Sequence, residues 1–295
     1  YNIVDVPNHR TMHEGATIRG GGIVIFIAMA LYALLVGNPG IYFVAGLSIM
    51  GITGFLDDLY NLPGKVRFPL QMLSIILLLA ELQLLNINII WLTIILILAT
   101  GTLNAFNFMD GINGMTGGYA TVTVISMIIV NNFVQNFISD DFLYFTLLAL
   151  IVFNLFNFRK KAVCFAGDVG SLTIALILIF ILIKMIYETH QIVYILFLTL
   201  YGIDTIFTIV QRLYLRQNIF EAHRLHLFQV VISKTGMPHL RMSTIYMVLQ
   251  LAINTIVIQM AAIPAQQQVF YAFIMLLGLS LSYIIIKKKI TRIAV

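Results

Sequence analysis

Ten apolar segments, each near the length a helix needs to cross a bilayer, dominate this sequence and leave few folds open to it. They are residues 20–37, 41–56, 68–85, 89–106, 117–135, 142–157, 170–187, 192–211, 242–261 and 267–286. A hydrocarbon core takes about 20 apolar residues per helix. In lipid the backbone must satisfy its own polar groups, so such segments form helices, and no alternating pattern argues for a barrel. Composition agrees, with 60% of residues hydrophobic, 10% charged and a mean hydropathy of +0.98. A soluble domain carries about 25% charge. The expected fold is all-α: a polytopic transmembrane helical bundle forming one integral-membrane domain over residues 1–295. The single cysteine, Cys164, excludes an internal disulfide and a Cys-based zinc pattern.

The cations orient the bundle. Arg10 and Arg19 precede the first segment, and Lys65 and Arg67 follow the second. Arg159, Lys160 and Lys161 follow the sixth, and Arg212, Arg216, Arg224, Lys234 and Arg241 the eighth. Lys287, Lys288, Lys289 and Arg292 follow the tenth. Only Lys184 of the 17 falls on the other side. The rich side is expected to be cytoplasmic. A net charge of +5 distributed in this way serves membrane topology and gives no reason to invoke nucleic acid.

Five polar clusters lie on that same side: "HRTMHEGATIRGGG" with His13 and Arg19, "GFLDDLYNLPGKVRF" with Asp57, Asp58, Lys65 and Arg67, "NAFNFMDGING" with Asn104, Asn107 and Asp110, "FAGDVGSL" with Asp168, and "FEAHRLHLFQ" with His223, Arg224 and His226. If the fourth helix continues, Asn104, Asn107 and Asp110 share one face. Asp168 opens a span, where helix N–H groups favour an anion. Carboxylates with amides suit Mg²⁺, which is hard and keeps water. Arginine, histidine and glycine-rich turns suit phosphate oxygens. Together they describe a diphosphate–metal site at the inner membrane surface. Asp204 is the one acid deep inside a span, Glu81 lying near an outer end; it is either functional or an internal partner of Arg212.

These motifs resemble the polyprenyl-phosphate N-acetylhexosamine-1-phosphate transferases of glycosyltransferase family 4. A DDxx(D/N) motif matches Asp57, Asp58 and Asn61. An NAxNxxDG motif matches Asn104, Asn107, Asp110 and Gly111, and F-x-GD-x-GSL matches Phe165 to Leu172. The resemblance implies that Asp168 is the principal Mg²⁺ ligand (Mn²⁺ an alternative) and that Asp57 and Asp58 act near the lipid phosphate. With them, Asp110 belongs to the catalytic group, Asn107 and Asp110 meeting the nucleotide–diphosphate region. Asn104, Arg19, Arg67, His223, Arg224 and His226 are implied in substrate binding. Where relatives carry Asp, this chain has Asn113, which argues against a metal role there. The family also implies a further span before "PNHR", eleven in all.

The implied reaction joins a UDP-N-acetylhexosamine to undecaprenyl phosphate at the cytoplasmic face of the inner membrane and releases UMP, starting cell-surface polysaccharide synthesis. The "AHRLHLFQ" stretch favours the O-antigen-initiating branch over the muramoyl-pentapeptide enzyme of peptidoglycan synthesis. The expected partners are the two substrates and membrane lipid, with a homodimer left open. The alternative from another class is a transporter of lipid-linked sugars. Transporter sites sit near the midplane in repeated halves, whereas here the acids crowd one side and no half-to-half repeat is seen. A CDP-alcohol phosphotransferase would need a DG-x₂-AR run, which is missing.

Overall fold

A computed structural model describes residues 17–218 and 224–292, and the backbone alone of residues 4–5. The all-α expectation holds. The described residues form helices α1 (Ile23–Leu35), α2 (Ile41–Tyr60), α3 (Gly64–Glu81), α4 (Ile89–Met109), α5 (Met115–Phe133) and α6 (Asp140–Asn157). They continue with α7 (Gly167–Thr189), α8 (Thr199–Tyr214), α9 (Leu227–Thr235), α10 (His239–Met260) and α11 (Ala265–Arg292). The regular β structure among them is one antiparallel pair, β1 (Val4–Asp5) with β2 (Thr17–Ile18).

Each of the ten expected spans coincides with a helix. The eighth is split, its first residues Ile192–Leu198 forming a 3₁₀ stretch that leads into α8. Seven of these segments are long and apolar enough to cross a membrane by length and composition. The chain is a multi-pass membrane protein. Helix α9 was not expected; it is nine residues long and opens with a reciprocal cap between His226 and Gln229.

Helix α7 is the axis of the bundle. It is apolar around its whole circumference and buried along most of its length, as a helix without a polar face must be. Helices α1, α2, α4 and α5 pack on it. Their outer faces, with Leu34, Ile97 and Phe133, are left to lipid. Lipid is as apolar as leucine, so close backbone contact and internal hydrogen bonds hold such helices together. The α2–α7 crossing shows the first device: a Cβ on Gly54 would stand 2.6 Å from Val169 Cα. A buried relay shows the second. Tyr119 Oη donates to Gln250 at 2.8 Å, Gln250 to Asn254 at 2.7 Å and Asn254 to Ser126 at 3.0 Å, tying α5 to α10.

Candidate active site

The close α2–α7 crossing brings the end of α2 against the beginning of α7, and most of the expected site residues meet there. The first turn of any helix has backbone N–H groups without internal partners and a partial positive charge. At α7 the anion that answers them is Asp58. Its Oδ1 accepts the Asp168 N–H at 2.9 Å and its Oδ2 the Val169 N–H at 3.1 Å. Arg19 Nε stands 2.9 Å from the same carboxylate, whose side chain is fully buried. Asp168 lies in the first turn of α7, where the helix dipole favours an acid as expected, but the N–H groups of Asp168 and Val169 are taken by the carboxylate of α2. Gly167 makes room for it. Its φ is +68°, and a Cβ there would lie 2.5 Å from Asp58 Oδ2.

Asp57, one residue earlier, is held from the other side. Its Oδ1 accepts the Leu62 N–H at 2.6 Å and its Oδ2 pairs with Arg67 at 2.6 Å. This fixes the turn after α2, in which Asn61 adopts a left-handed conformation. The Asp57 carboxyl also faces that of Asp168. The Asp168 side chain is more open than those of Asp57 and Asp58. It accepts a hydrogen bond from Asn107 Nδ2, and Arg19 stands 3.6 Å from its other oxygen.

Asp110 completes the group, though not as the helical pattern suggested. Helix α4 ends at Met109, so Asn104, Asn107 and Asp110 do not continue along one helical face. Asn104 donates back to the Thr100 carbonyl at 2.8 Å, within its own helix. Asp110 instead turns toward the start of α7 and accepts the Gly167 N–H at 3.2 Å. Burial, reinforced by the Asp58 charge, pushes its carboxyl up to about 7. The thiol of Cys164, half-buried beside this loop, is likewise raised, first by burial and then by Asp110.

Two asparagines hold the loops in register. Asn113 donates to the carbonyls of Arg159 and Lys160 at 2.9 and 3.1 Å, so it serves the scaffold. Asn157 was not singled out in the sequence. Its Oδ1 accepts the Gly114 N–H at 2.7 Å and its Nδ2 donates to the Cys164 carbonyl at 2.9 Å, stitching the "MDGING" loop to the "FAGD" loop. The signal that could have found it is a buried amide closing an otherwise apolar span.

Arg224 and His226 lie on the segment leading into α9, while His13 and His223 lie outside the described residues. The His226 ring is 6.2 Å from that of Phe108, in the last turn of α4. Phe228 of α9 packs over Gly111. Asp204 is met by His226, Tyr246, Tyr283, Thr208 and the Leu227 N–H.

The electrostatic sum decides what this cluster can take. With all four carboxyls ionised, Asp57, Asp58, Asp110 and Asp168 against Arg19 and Arg67 leave a formal charge of −2 in a mostly buried mouth, a state that burial opposes at Asp110 until a cation offsets it. That is the deficit one divalent cation fills, and the donors are all oxygen. Among the described residues no three His, Cys, Asp or Glu side chains converge as a ready-made cage. Mg²⁺ does not require one, because it usually uses one or two carboxylates and takes the remainder from water and phosphate. The residues present fit that ion.

Comparison with known proteins agrees with this geometry. The family model described as glycosyl transferase family 4 matches residues 40–186, about half the chain, spanning Asp57, Asp58, Asn107, Asp110 and Asp168. A Bacillus subtilis (strain 168) protein named probable undecaprenyl-phosphate N-acetylglucosaminyl 1-phosphate transferase is 26% identical over 292 residues, which cover 88% of this chain and 78% of the relative. The undecaprenyl-phosphate alpha-N-acetylglucosaminyl 1-phosphate transferase of Escherichia coli (strain K12) is 25% identical over 254 residues, covering 78% and 69%. With its motifs gathered at one mouth of the bundle inside the matched region, the chain belongs to glycosyl transferase family 4.

Proposed function

We propose that the protein transfers an N-acetylhexosamine 1-phosphate, most simply N-acetylglucosamine 1-phosphate, from its UDP-sugar to undecaprenyl phosphate. The product is the lipid-linked sugar diphosphate, and UMP leaves. The observation that carries this reading is the meeting of four aspartates and two arginines at one end of the bundle, two of the aspartates at the ends of α4 and α7, which also wall an apolar crevice. That crevice, about 370 Å³, lies between α4, α7 and α8 and is lined by Trp91, Leu98, Ile186, Ile195 and Ile206 among others. It suits a prenyl chain. Surrounding lipid is equally apolar, so the crevice orients the chain more than it adds affinity. The charge bias of the loops supports a cytoplasmic mouth in the inner membrane.

In the proposed reaction an oxygen of the lipid phosphate attacks the phosphorus next to the sugar. A new P–O bond forms, the P–O bond of the diphosphate bridge breaks, and the bridging oxygen departs with UMP. Positioning and charge neutralisation are the main demands of such a step. Asp168, with Asp57 facing it, would hold Mg²⁺, which would supply charge neutralisation for the diphosphate. Arg19 and Arg67 already sit at the carboxylates and present further N–H groups to phosphate oxygens. Asn107 orients Asp168. Asp58 is a positioning residue, because both its oxygens hold the start of α7. The lipid phosphate is anionic near neutral pH, so the step requires no strong base.

The test is incubation of the purified protein with undecaprenyl phosphate, Mg²⁺ and a panel of radiolabelled UDP-sugars. Label passing into the lipid phase with stoichiometric UMP supports the reading. A protein that moves lipid-linked sugars between leaflets without forming them contradicts it.

A further inference from the structure

The buried acid of α8 has no part in the chemistry above, yet it is among the most heavily hydrogen-bonded side chains in the bundle. Asp204 is 1% exposed. Its Oδ1 accepts the Leu227 N–H at 3.0 Å, the Tyr283 hydroxyl at 3.1 Å and the Thr208 hydroxyl at 3.3 Å, and lies 3.2 Å from His226 Nδ1. Its Oδ2 accepts the Tyr246 hydroxyl at 2.9 Å. Lys287 donates to the Tyr283 hydroxyl at 2.9 Å.

These donors come from four directions. Thr208 belongs to α8 itself, Tyr246 to α10 and Tyr283 to α11. His226 and Leu227 are the cap and first residue of α9. An apolar residue at position 204 would join α8, α10 and α11 without the cost of placing a carboxylate in a span. What the carboxylate adds is a grip on a segment that carries no apolar span of its own. That segment leads to the reaction mouth: His226 stacks on Phe228 at 6.0 Å, and Phe228 lies over Gly111, next to Asp110.

We propose that Asp204 is a positioning residue for the sugar-nucleotide side of the site. Its carboxylate clamps the His226–Leu227 turn, and through Phe228 sets where this loop closes over the Asp110 and Asp168 carboxylates. The inference rests on the transferase reading for its substrate and on the described geometry for its mechanics.

The test uses the full chain in nanodiscs, with steady-state KM for UDP-N-acetylglucosamine and for undecaprenyl phosphate, and hydrogen exchange at the Leu227 amide. Asp204→Ala should raise the KM for the UDP-sugar by about tenfold or more, the loss expected for a charged hydrogen bond. The KM for the lipid should stay within about twofold, and Leu227 exchange should accelerate by at least about tenfold on the same grounds. Asp204→Asn keeps an acceptor oxygen and should fall between; it carries the test if the alanine variant does not fold. Tyr246→Phe removes the bond to the other carboxylate oxygen while keeping the ring that packs edge-on against Phe228, and should leave both KM values and Leu227 exchange near wild type. A purely structural acid would make Tyr246→Phe resemble the Asp204 variants, or raise both KM values together, and either result overturns the proposal. So does unchanged Leu227 exchange in Asp204→Ala. If the wild-type protein forms no lipid-linked sugar, the transferase reading fails, and the exchange data still decide the clamp.

Discussion

Removing the Asp58 carboxylate should open the junction between α2 and α7 before it affects any chemical step. In Asp58→Ala two N–H groups at the start of α7 lose a charged acceptor and Arg19 loses its partner. Each hydrogen bond to a charged group contributes about 1.5–3 kcal/mol, so the gross loss is about 3–6 kcal/mol. Part returns, because Asp58 repels Asp110 and Asp168. A net cost of about 2–4 kcal/mol corresponds to roughly a 30- to 1,000-fold larger open population. The protein supplies its own reporter. Cys164 is the sole cysteine, half-buried, and adjoins Phe165, whose carbonyl accepts the Gly21 N–H at 2.8 Å. The rate of maleimide labelling of Cys164 in nanodiscs should rise by that factor in Asp58→Ala and by less in Asp58→Asn, which keeps one acceptor oxygen. Asp168→Asn, which removes a charge without removing an N–H acceptor, should label no faster than wild type. Wild-type labelling in Asp58→Ala, or faster labelling in Asp168→Asn, would refute the assignment of Asp58 to positioning.

Further perturbations probe other parts of the site. Gly167→Ala forces a left-handed alanine, at about 1–2 kcal/mol, and pushes its Cβ against Asp58; a lowered thermal midpoint and lost transfer are expected, while Gly101→Ala, with nothing within 4 Å of its added Cβ, should change neither. At Gly202 an added Cβ also meets no neighbour, and Gly202→Phe would place its ring in the apolar crevice, so steady-state kinetics should show a raised KM for undecaprenyl phosphate and an unchanged one for the UDP-sugar. The Asp110 carboxyl is raised to about 7, so the folded protein holds a proton that the unfolded chain releases from about pH 4. Without added divalent cation, stability should therefore fall as pH rises from about 4 to about 7 and then level off, and thermal unfolding of Asp110→Asn should show this slope reduced.

The helices were readable because hydropathy in lipid is a one-term problem: each long apolar run had to become a helix, and ten did. Helix α9 escaped because it is short, follows a polar loop and draws its stability from caps and from Asp204 beneath it. The site residues were legible as a set, since polar groups at span ends on one side have few other uses. Their division of labour was not. Nothing local distinguishes Asp57 from Asp58; the distinction arises because Gly54 lets α7 approach α2 so closely that one carboxylate meets backbone N–H groups. Asn104 looked like Asn107 in the linear pattern, yet it bonds to its own helix one turn below the mouth. Asp204 presented two readings, and its bond to His226, which lies 22 residues away in the chain, could not be read locally.

Binding of a divalent ion tests the central claim most directly. In nanodiscs with saturating UDP-N-acetylglucosamine, electron paramagnetic resonance should count about one Mn²⁺ per wild-type chain, displaced by Mg²⁺, and weakened by at least about tenfold in Asp168→Asn, the scale expected for loss of one charged ligand. Equal Mn²⁺ affinity in the two proteins, or none in either, would contradict the account.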